Sequence, residues 1–129
     1  NNIKNGASWT DEDGNVIPSN RLTRPADPPR SYAYCSDTCY LPELHKQLEG
    51  TTCIYHETTY ATEDAEKATK YCHSTAAQAA QVARDAHAGR LLLGHYSSKY
   101  DNEQVLLEEA RAVFPASELT REGMVVELK

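Results

Sequence analysis

The residues Arg90-Leu91-Leu92-Leu93-Gly94 have the form of a short buried strand, and they run directly into the polar sequence His95-Tyr96-Ser97-Ser98-Lys99-Tyr100. Further upstream, Tyr32-Ala33-Tyr34-Cys35-Ser36 has a similar form and runs into Asp37-Thr38. Open α/β sheets bind their ligands beyond the carboxyl ends of the strands. An Asp and a His at such strand ends therefore indicate part of a metal site at one edge of a sheet.

From Ser31 onward the chain alternates between strand patterns and helix patterns. The predicted elements are strand 31–36, helix 41–49, strand 52–56, helix 63–71, helix 74–88, strand 90–94, helix 102–114 and strand 124–128. This alternation is typical of a sheet covered by helices, so the sequence predicts the α/β class. Ser74 or Thr75 can cap the Ala-rich helix 74–88, which would place His73 at the positive end of the helix dipole.

The first 30 residues differ in composition from the rest. They hold four of the six prolines, together with the turn sequence Asp13-Gly14. Short strand patterns at 7–10 and 15–17 flank that turn and predict a hairpin. We therefore expect one domain over residues 1–129, with a hairpin-rich lead-in at 1–30 and alternating strands and helices over 31–129.

Bulk composition narrows the class of protein. The net charge of −6 argues against nucleic-acid binding through a broadly basic surface. The sequence contains neither an apolar stretch of bilayer-spanning length nor a signal-peptide pattern at its start, which predicts a cytoplasmic protein. The four cysteines contain no C-x-x-C pair, and we interpret them as reduced packing residues.

Two pairs of residues are candidates for chemistry. Asp37 can bridge two metal ions or cap a helix, and His95 can bind a metal or form a structural hydrogen bond. Glu57 and His73 would form a proton-delivery pair if they lay near one metal site, and each is otherwise a loop or capping residue. We interpret His56, at the edge of a strand, as a hydrogen-bonded structural residue.

Three further polar residues follow His95. Ser97, Ser98 and Lys99 offer two hydroxyls and one ammonium to a phosphate, or they form an ordinary exposed loop.

Four motifs in this order resemble those of ribonuclease Z, the tRNA 3′-processing endonuclease of the metallo-β-lactamase fold. They are Tyr34-Cys35-Ser36-Asp37-Thr38, His56-Glu57-Thr58-Thr59-Tyr60, His73-Ser74-Thr75-Ala76 and Gly94-His95-Tyr96-Ser97-Ser98-Lys99-Tyr100. The resemblance extends over nearly the whole chain and implies the C-terminal half of an αβ/βα sandwich.

The resemblance also implies roles for single residues. Asp37 would bridge two zinc ions, and His95 would be a terminal ligand of one of them. Glu57 and His73 would form the proton relay, with His73 protonating the departing 3′ oxygen of the trimmed tRNA. The family often works as a homodimer, so the implied partners are precursor tRNA, a second copy and the remaining half of the enzyme.

The sequence departs from the family pattern in several places. It lacks the family's main metal motif, H-x-H-x-D-H, and the basic arm that grips tRNA. Thr58 replaces the usual Ala, and Lys99 replaces the usual Arg. We therefore expect a C-terminal half that is inactive alone and that self-associates or needs its other half. The alternatives are another hydrolase of the same fold, acting on phosphodiesters or sulfate esters, and a non-catalytic interaction domain.

Overall fold

A computed structural model describes residues 2–129. The strands are β1 (Trp9–Thr10), β2 (Val16–Ile17), β3 (Tyr32–Cys35), β4 (Cys53–Glu57), β5 (Leu91–Gly94) and β6 (Ser117–Leu119). The α-helices are α1 (Ser19–Leu22), α2 (Leu44–Gln47), α3 (Ala65–Tyr71), α4 (Ala76–Asp85) and α5 (Gln104–Val113). Two 3₁₀ turns lie at Ile3–Asn5 and Thr62–Asp64.

Four strands form one parallel sheet. Their order is β3-β4-β5-β6, so each strand lies beside the next one along the chain. All carboxyl ends therefore meet at one edge. The predicted α/β class is confirmed, and with it the helices that connect parallel strands.

One face of the sheet packs against α4 and α5. Ile54, Leu91 and Leu93 contribute fully buried side chains to this core. The Ala-rich surface of α4 is buried beside them, because its short side chains let the helix approach the sheet and α5 closely. The capping prediction resolves to Thr75, whose hydroxyl accepts from the Gln78 N–H while the Gln78 side chain accepts from the Thr75 N–H.

The opposite face of the sheet carries tyrosines. Tyr34 and Tyr55 are lateral partners in β3 and β4, and their rings stack with centroids 4.8 Å apart. Tyr34 is 67% exposed and Tyr32 is 49% exposed. An aromatic surface of this kind is typical of a sheet face that packs against another layer.

The predicted hairpin near the start is present. Strands β1 and β2 pair antiparallel, with Trp9 opposite Ile17, on either side of a turn in which the Asp11 carboxylate accepts the Asp13 and Asn15 N–H groups. These two strands form a separate two-stranded sheet. The one-turn helix α1 follows them and was not predicted.

The last predicted strand is wrong. Residues 124–128 are irregular, and Val125 is 87% exposed, whereas the fourth strand is β6, directly after α5. Strand β6 was not predicted from the sequence, because Glu118 interrupts its apolar pattern. That residue pairs with Arg90 at 2.7 Å instead of facing the core.

Other differences are smaller. The predicted helix 41–49 contracts to one turn, and helix 74–88 is shorter at both ends. Cys72 is exposed in a left-handed conformation at the end of α3, so the interpretation as a packing residue is wrong for this cysteine. None of the helices within residues 2–129 has the length and apolar character needed to cross a membrane.

Candidate metal and proton-transfer site

The carboxyl edge of the parallel sheet brings four predicted residues together. Asp37 lies just beyond β3, Glu57 ends β4, His95 follows β5, and His73 lies between α3 and α4. One potential ligand atom from each of the four lies within 4.8 Å of the others, an arrangement that can hold a metal ion. Parallel pairing is the reason for this convergence, since it places all strand ends on the same side.

Glu57 is the buried centre of the site, with a fully buried side chain. Its Oε1 accepts hydrogen bonds from the Thr38 N–H at 3.0 Å and from Nδ1 of His73 at 2.8 Å. Its Oε2 accepts from the Thr59 hydroxyl at 2.6 Å, the Thr59 N–H at 3.3 Å and the Ser74 N–H at 3.0 Å. Every group around the carboxylate is a donor, so the site is built for an ionised Glu57.

The protonation of Glu57 follows from this environment. Burial by itself raises the pKa of Glu57, but the hydrogen bonds from Thr59, Ser74 and His73 outweigh it and hold the pKa below the ordinary value. The Ser74 N–H immediately precedes α4, so the carboxylate also lies at the positive end of that helix. Glu57 is therefore a fixed negative charge under the site.

His73 is oriented by two carboxylates. Its Nδ1 lies 2.8 Å from Oε1 of Glu57 and 3.1 Å from Oδ1 of Asp37. The side chain is 21% exposed, so the two carboxylates hold the Nδ1 edge of the ring while part of the ring is open to solvent. Since Nδ1 donates to carboxylates, Nε2 is the nitrogen that can take up or deliver a proton.

His95 faces the same space from the end of β5. Its ring lies 5.4 Å from the His73 ring, centroid to centroid, and its Nδ1 lies 3.0 Å from the Thr59 hydroxyl. The backbone of His95 is in the left-handed region, with φ 59°, which turns the chain sharply away from the strand. The imidazole thereby projects toward Glu57 and His73.

The donor set fits part of a metal site. Asp37 offers a carboxylate that is 68% exposed, and His95 offers Nε2, since its Nδ1 is engaged by Thr59. Glu57 does not suit a ligand role, because five donors already occupy its two oxygens. Carboxylate and imidazole are suitable zinc ligands, but a zinc site takes three or four protein ligands.

The three predicted phosphate-binding residues are placed differently from one another. Ser97 and Ser98 lie on the loop after His95, and the Ser97 N–H donates to the Thr59 carbonyl. Lys99 contacts the buried Asp64 with its ammonium at 2.5 Å. Its charge is therefore already paired, and a role of this lysine in binding phosphate remains a prediction.

Sequence reasoning missed three residues that build the site. Thr38, Thr59 and Ser74 hold Glu57 through two backbone N–H groups and through both the N–H and the hydroxyl of Thr59. Ser74 also donates its hydroxyl to the Thr38 carbonyl at 2.8 Å, which joins the loop after β3 to the start of α4. Each lies next to, or two residues from, a predicted site residue, and that proximity was the available indication.

Comparison with known sequences identifies relatives along the whole chain. The chain is 48% identical over 128 residues to ribonuclease Z of Bacteroides fragilis, which covers 99% of this chain and 42% of that protein. It is 49% identical over 126 residues to ribonuclease Z of Bacteroides thetaiotaomicron, covering 98% and 40%. The chain thus spans about two fifths of the length of the curated relatives it matches. No family model matches the sequence.

Solved structures identify the fold. The metallo-β-lactamase fold protein YhfI of Bacillus subtilis aligns with a TM-score of 0.65 at 24% identity, over 70% of this chain and 37% of that one. The short form of human tRNase Z aligns with a TM-score of 0.57 at 23% identity, over 74% and 32%. The predicted fold, a part of the metallo-β-lactamase sandwich, is confirmed. The predicted resemblance to the C-terminal half of ribonuclease Z is confirmed by the sequence relatives.

Proposed function

We propose that residues 1–129 supply the C-terminal half of a ribonuclease Z domain, a zinc-dependent endoribonuclease that removes 3′ extensions from precursor tRNA. The observation that carries the proposal is the hydrogen bond between the buried Glu57 carboxylate and His73, beside the potential metal ligands Asp37 and His95. Its support from sequence is the similarity to ribonuclease Z proteins over almost every residue of this chain.

The residues of this chain would take two roles, metal binding and proton transfer. Asp37 and His95 would hold zinc, and two zinc ions, when bound, supply Lewis-acid polarisation and stabilise the charge that develops on phosphate oxygens. Glu57 holds His73 through Nδ1, which leaves Nε2 directed away from the buried carboxylate. His73 then carries a proton at Nε2 and donates it to the departing 3′ oxygen. A general acid placed in this way contributes about 10²- to 10⁴-fold in rate.

The proposal requires the other half of the enzyme. Two ligands do not complete a zinc site, so the remaining ligands come from the other half of the enzyme. The exposed tyrosine face of the sheet, with Tyr32 and Tyr34, is the surface that this half would cover. The isolated chain is accordingly inactive. The same proposal includes a homodimer, which the family resemblance implies. It also includes a location in the cytoplasm.

The test is cleavage of a 3′-extended tRNA in zinc or manganese by this chain alone and after mixing with the N-terminal part of a matching ribonuclease Z. We expect cleavage only in the mixture. His73→Asn keeps a donor near the Nδ1 position and removes Nε2, so it should slow this cleavage by about 10²- to 10⁴-fold while the mixture still assembles. His87→Asn alters an exposed histidine that contacts Glu49, and it should have no effect.

Three results would contradict the proposal. Cleavage by the chain alone would require a complete metal site within it. Turnover of a small phosphodiester without cleavage of tRNA would favour another hydrolase of this fold. Assembly without any cleavage would favour a non-catalytic interaction domain.

A further inference from the structure

One residue of the site is explained neither by the proton relay nor by metal binding. Thr59 lies between Glu57 and His95, and its hydroxyl contacts both of them, at 2.6 Å to Oε2 and 3.0 Å to Nδ1. The residue is 6% exposed, so solvent hardly competes for these contacts. A hydroxyl has only one proton to donate, which makes the direction of each hydrogen bond decidable.

The carboxylate fixes the direction of the first bond. Oε2 of Glu57 is surrounded by the Thr59 N–H, the Thr59 hydroxyl and the Ser74 N–H, and an ionised carboxylate only accepts. The Thr59 proton therefore points at Glu57. The hydroxyl oxygen can then only accept from His95.

The direction of the second bond follows. His95 must carry its proton on Nδ1 to donate to the Thr59 oxygen, and in the neutral ring this leaves the lone pair on Nε2. Nε2 is the atom with which His95 would bind a metal. Partners of this kind on the far nitrogen orient histidine ligands, and their loss typically costs 10- to 100-fold in metal affinity.

We infer that Thr59 is a positioning residue, whose hydroxyl links the Glu57 carboxylate to His95 by two hydrogen bonds. It fixes His95 in the Nδ1–H tautomer, with Nε2 free to bind a metal ion. Glu57 thus orients both imidazoles, His73 directly and His95 through the Thr59 hydroxyl. The metal role of His95 rests on the proposed function, whereas the tautomer is a property of the metal-free chain.

The backbone around Thr59 supports this role. The Thr58 N–H and hydroxyl both donate to the Gly94 carbonyl, at 2.8 and 3.1 Å, and the Ser97 N–H donates to the Thr59 carbonyl at 3.0 Å. These bonds join the segment after β4 to the segment after β5 on both sides of His95. The distance from the Thr59 oxygen to the His95 ring is therefore set by the backbone, and a hydroxyl is the group that bridges it.

The experiment is a long-range ¹H–¹⁵N correlation spectrum of the imidazole rings in the metal-free 129-residue chain, recorded at about pH 8.5, where an ordinary histidine is neutral. We expect His95 to carry its proton on Nδ1. Thr59→Val, which has the same shape without the hydroxyl, should shift the tautomer ratio toward Nε2–H by about two- to tenfold, the range of one hydrogen bond. Thr59→Ser keeps the hydroxyl and should therefore show the wild-type tautomer ratio.

A matched control and a second readout complete the test. Thr51→Val removes a similarly buried hydroxyl, which donates to the Leu48 carbonyl at the other end of β4, and should leave the His95 tautomer unchanged. Zinc affinity, measured by calorimetry, should fall about tenfold in Thr59→Val and stay unchanged in Thr51→Val.

A proton on Nε2 in the wild-type chain would overturn the inference, as would a folded Thr59→Val chain with an unchanged tautomer ratio. Should Thr59→Val fail to fold, the wild-type and Thr59→Ser spectra decide the question. The correct tautomer combined with no cleavage of tRNA in the reconstituted mixture would contradict the proposed function alone.

Discussion

Oε1 of the buried Glu57 accepts a hydrogen bond from Nδ1 of His73 over 2.8 Å, although the two residues lie on different elements of the fold. Glu57 ends a strand and His73 precedes a helix, so the contact links the edge of the sheet to the helical layer. The same carboxylate receives four further hydrogen bonds. Glu57 therefore contributes to the stability of the fold as well as to the site.

Replacement of Glu57 by Gln should destabilise the chain. The amide would place a donor beside the backbone N–H groups of Thr38, Thr59 and Ser74, which cannot accept. Hydrogen bonds to a charged acceptor contribute about 1.5 to 3 kcal/mol each. We expect the free energy of unfolding to fall by about 2 to 4 kcal/mol, measured by urea denaturation with circular dichroism. Glu49→Gln, at an exposed carboxylate that contacts His87, should change it by less than about 0.5 kcal/mol. Equal losses in the two variants would contradict this prediction.

Stability should fall in mild acid because of His56. The ring is fully buried, with Nδ1 2.8 Å from the Glu57 carbonyl, and burial lowers the pKa of His56 below its ordinary value of 6.5. The unfolded chain therefore binds a proton near pH 6.5 that the folded chain does not bind. This contribution to stability is complete above pH 6.5 and is lost as the pH falls from there toward the folded pKa, by up to about 1.4 kcal/mol per pH unit.

The test compares unfolding by urea at pH 7.5 and pH 5.5. His56→Asn keeps a donor for the Glu57 carbonyl and removes the titrating group, so its stability should depend less on pH than that of the wild type. His87→Asn, at an exposed histidine, should keep the wild-type dependence. Parallel pH profiles for the wild type and His56→Asn would disprove the assignment.

Glu57 affects stability in a lower pH range than His56. Because the pKa of Glu57 is depressed, its contribution to stability is present above about pH 4.5 and is lost as the pH falls below that value.

Tyr100 should hold the loop after β5 against the turn before α3. Its hydroxyl accepts the Ala61 N–H and donates to Asp64, each at 2.7 Å, and burial together with Asp64 raises the pKa of Tyr100 to about 12. Tyr100→Phe would leave the buried Ala61 N–H without this acceptor, which typically costs about 1 to 3 kcal/mol. We expect faster amide hydrogen exchange at residues 95–100 and at Ala61, measured by mass spectrometry. Tyr71→Phe, at an exposed tyrosine, is the matched control, and equal exchange in the two variants would argue against this role.

The isolated chain should bind zinc weakly. A complete structural zinc site is worth about 10 to 16 kcal/mol, and Asp37 and His95 supply half of a four-ligand set. Half of that free energy corresponds to a Kd of roughly 1 μM to 0.2 mM. Calorimetry should show this range for the wild type and weaker binding for Asp37→Ala and His95→Ala, with no change for His87→Ala. Nanomolar binding by the chain alone would contradict this prediction, because it would require more ligands than Asp37 and His95.

Much of the site could be predicted from the order of motifs along the chain. Asp37 and His95 follow apolar strand patterns, and the sheet rule places such residues at one edge. The residues alone predicted the pairing of Glu57 with His73 only on the condition that both lay near one metal site, and the family resemblance implied that they do. Apart from its place two residues after Glu57, Thr59 carried no indication of its role, because a threonine near a strand end is ordinary and its partner His95 lies far away in sequence.

The fold shows the same division. The sequence by itself determined the alternation of strands and helices, the early hairpin and the residues available as ligands, because these depend on local pattern and side-chain chemistry. Tertiary structure alone decided that Ser117–Leu119, and not 124–128, forms the fourth strand. The apolar pattern of Ser117–Leu119 is weak, but its pairing with β5 and the Arg90–Glu118 contact stabilise it as a strand. It also decided that five donors converge on Glu57. That convergence depends on parallel strand ends and a helix start meeting at one point, a geometry that no local stretch of the chain contains.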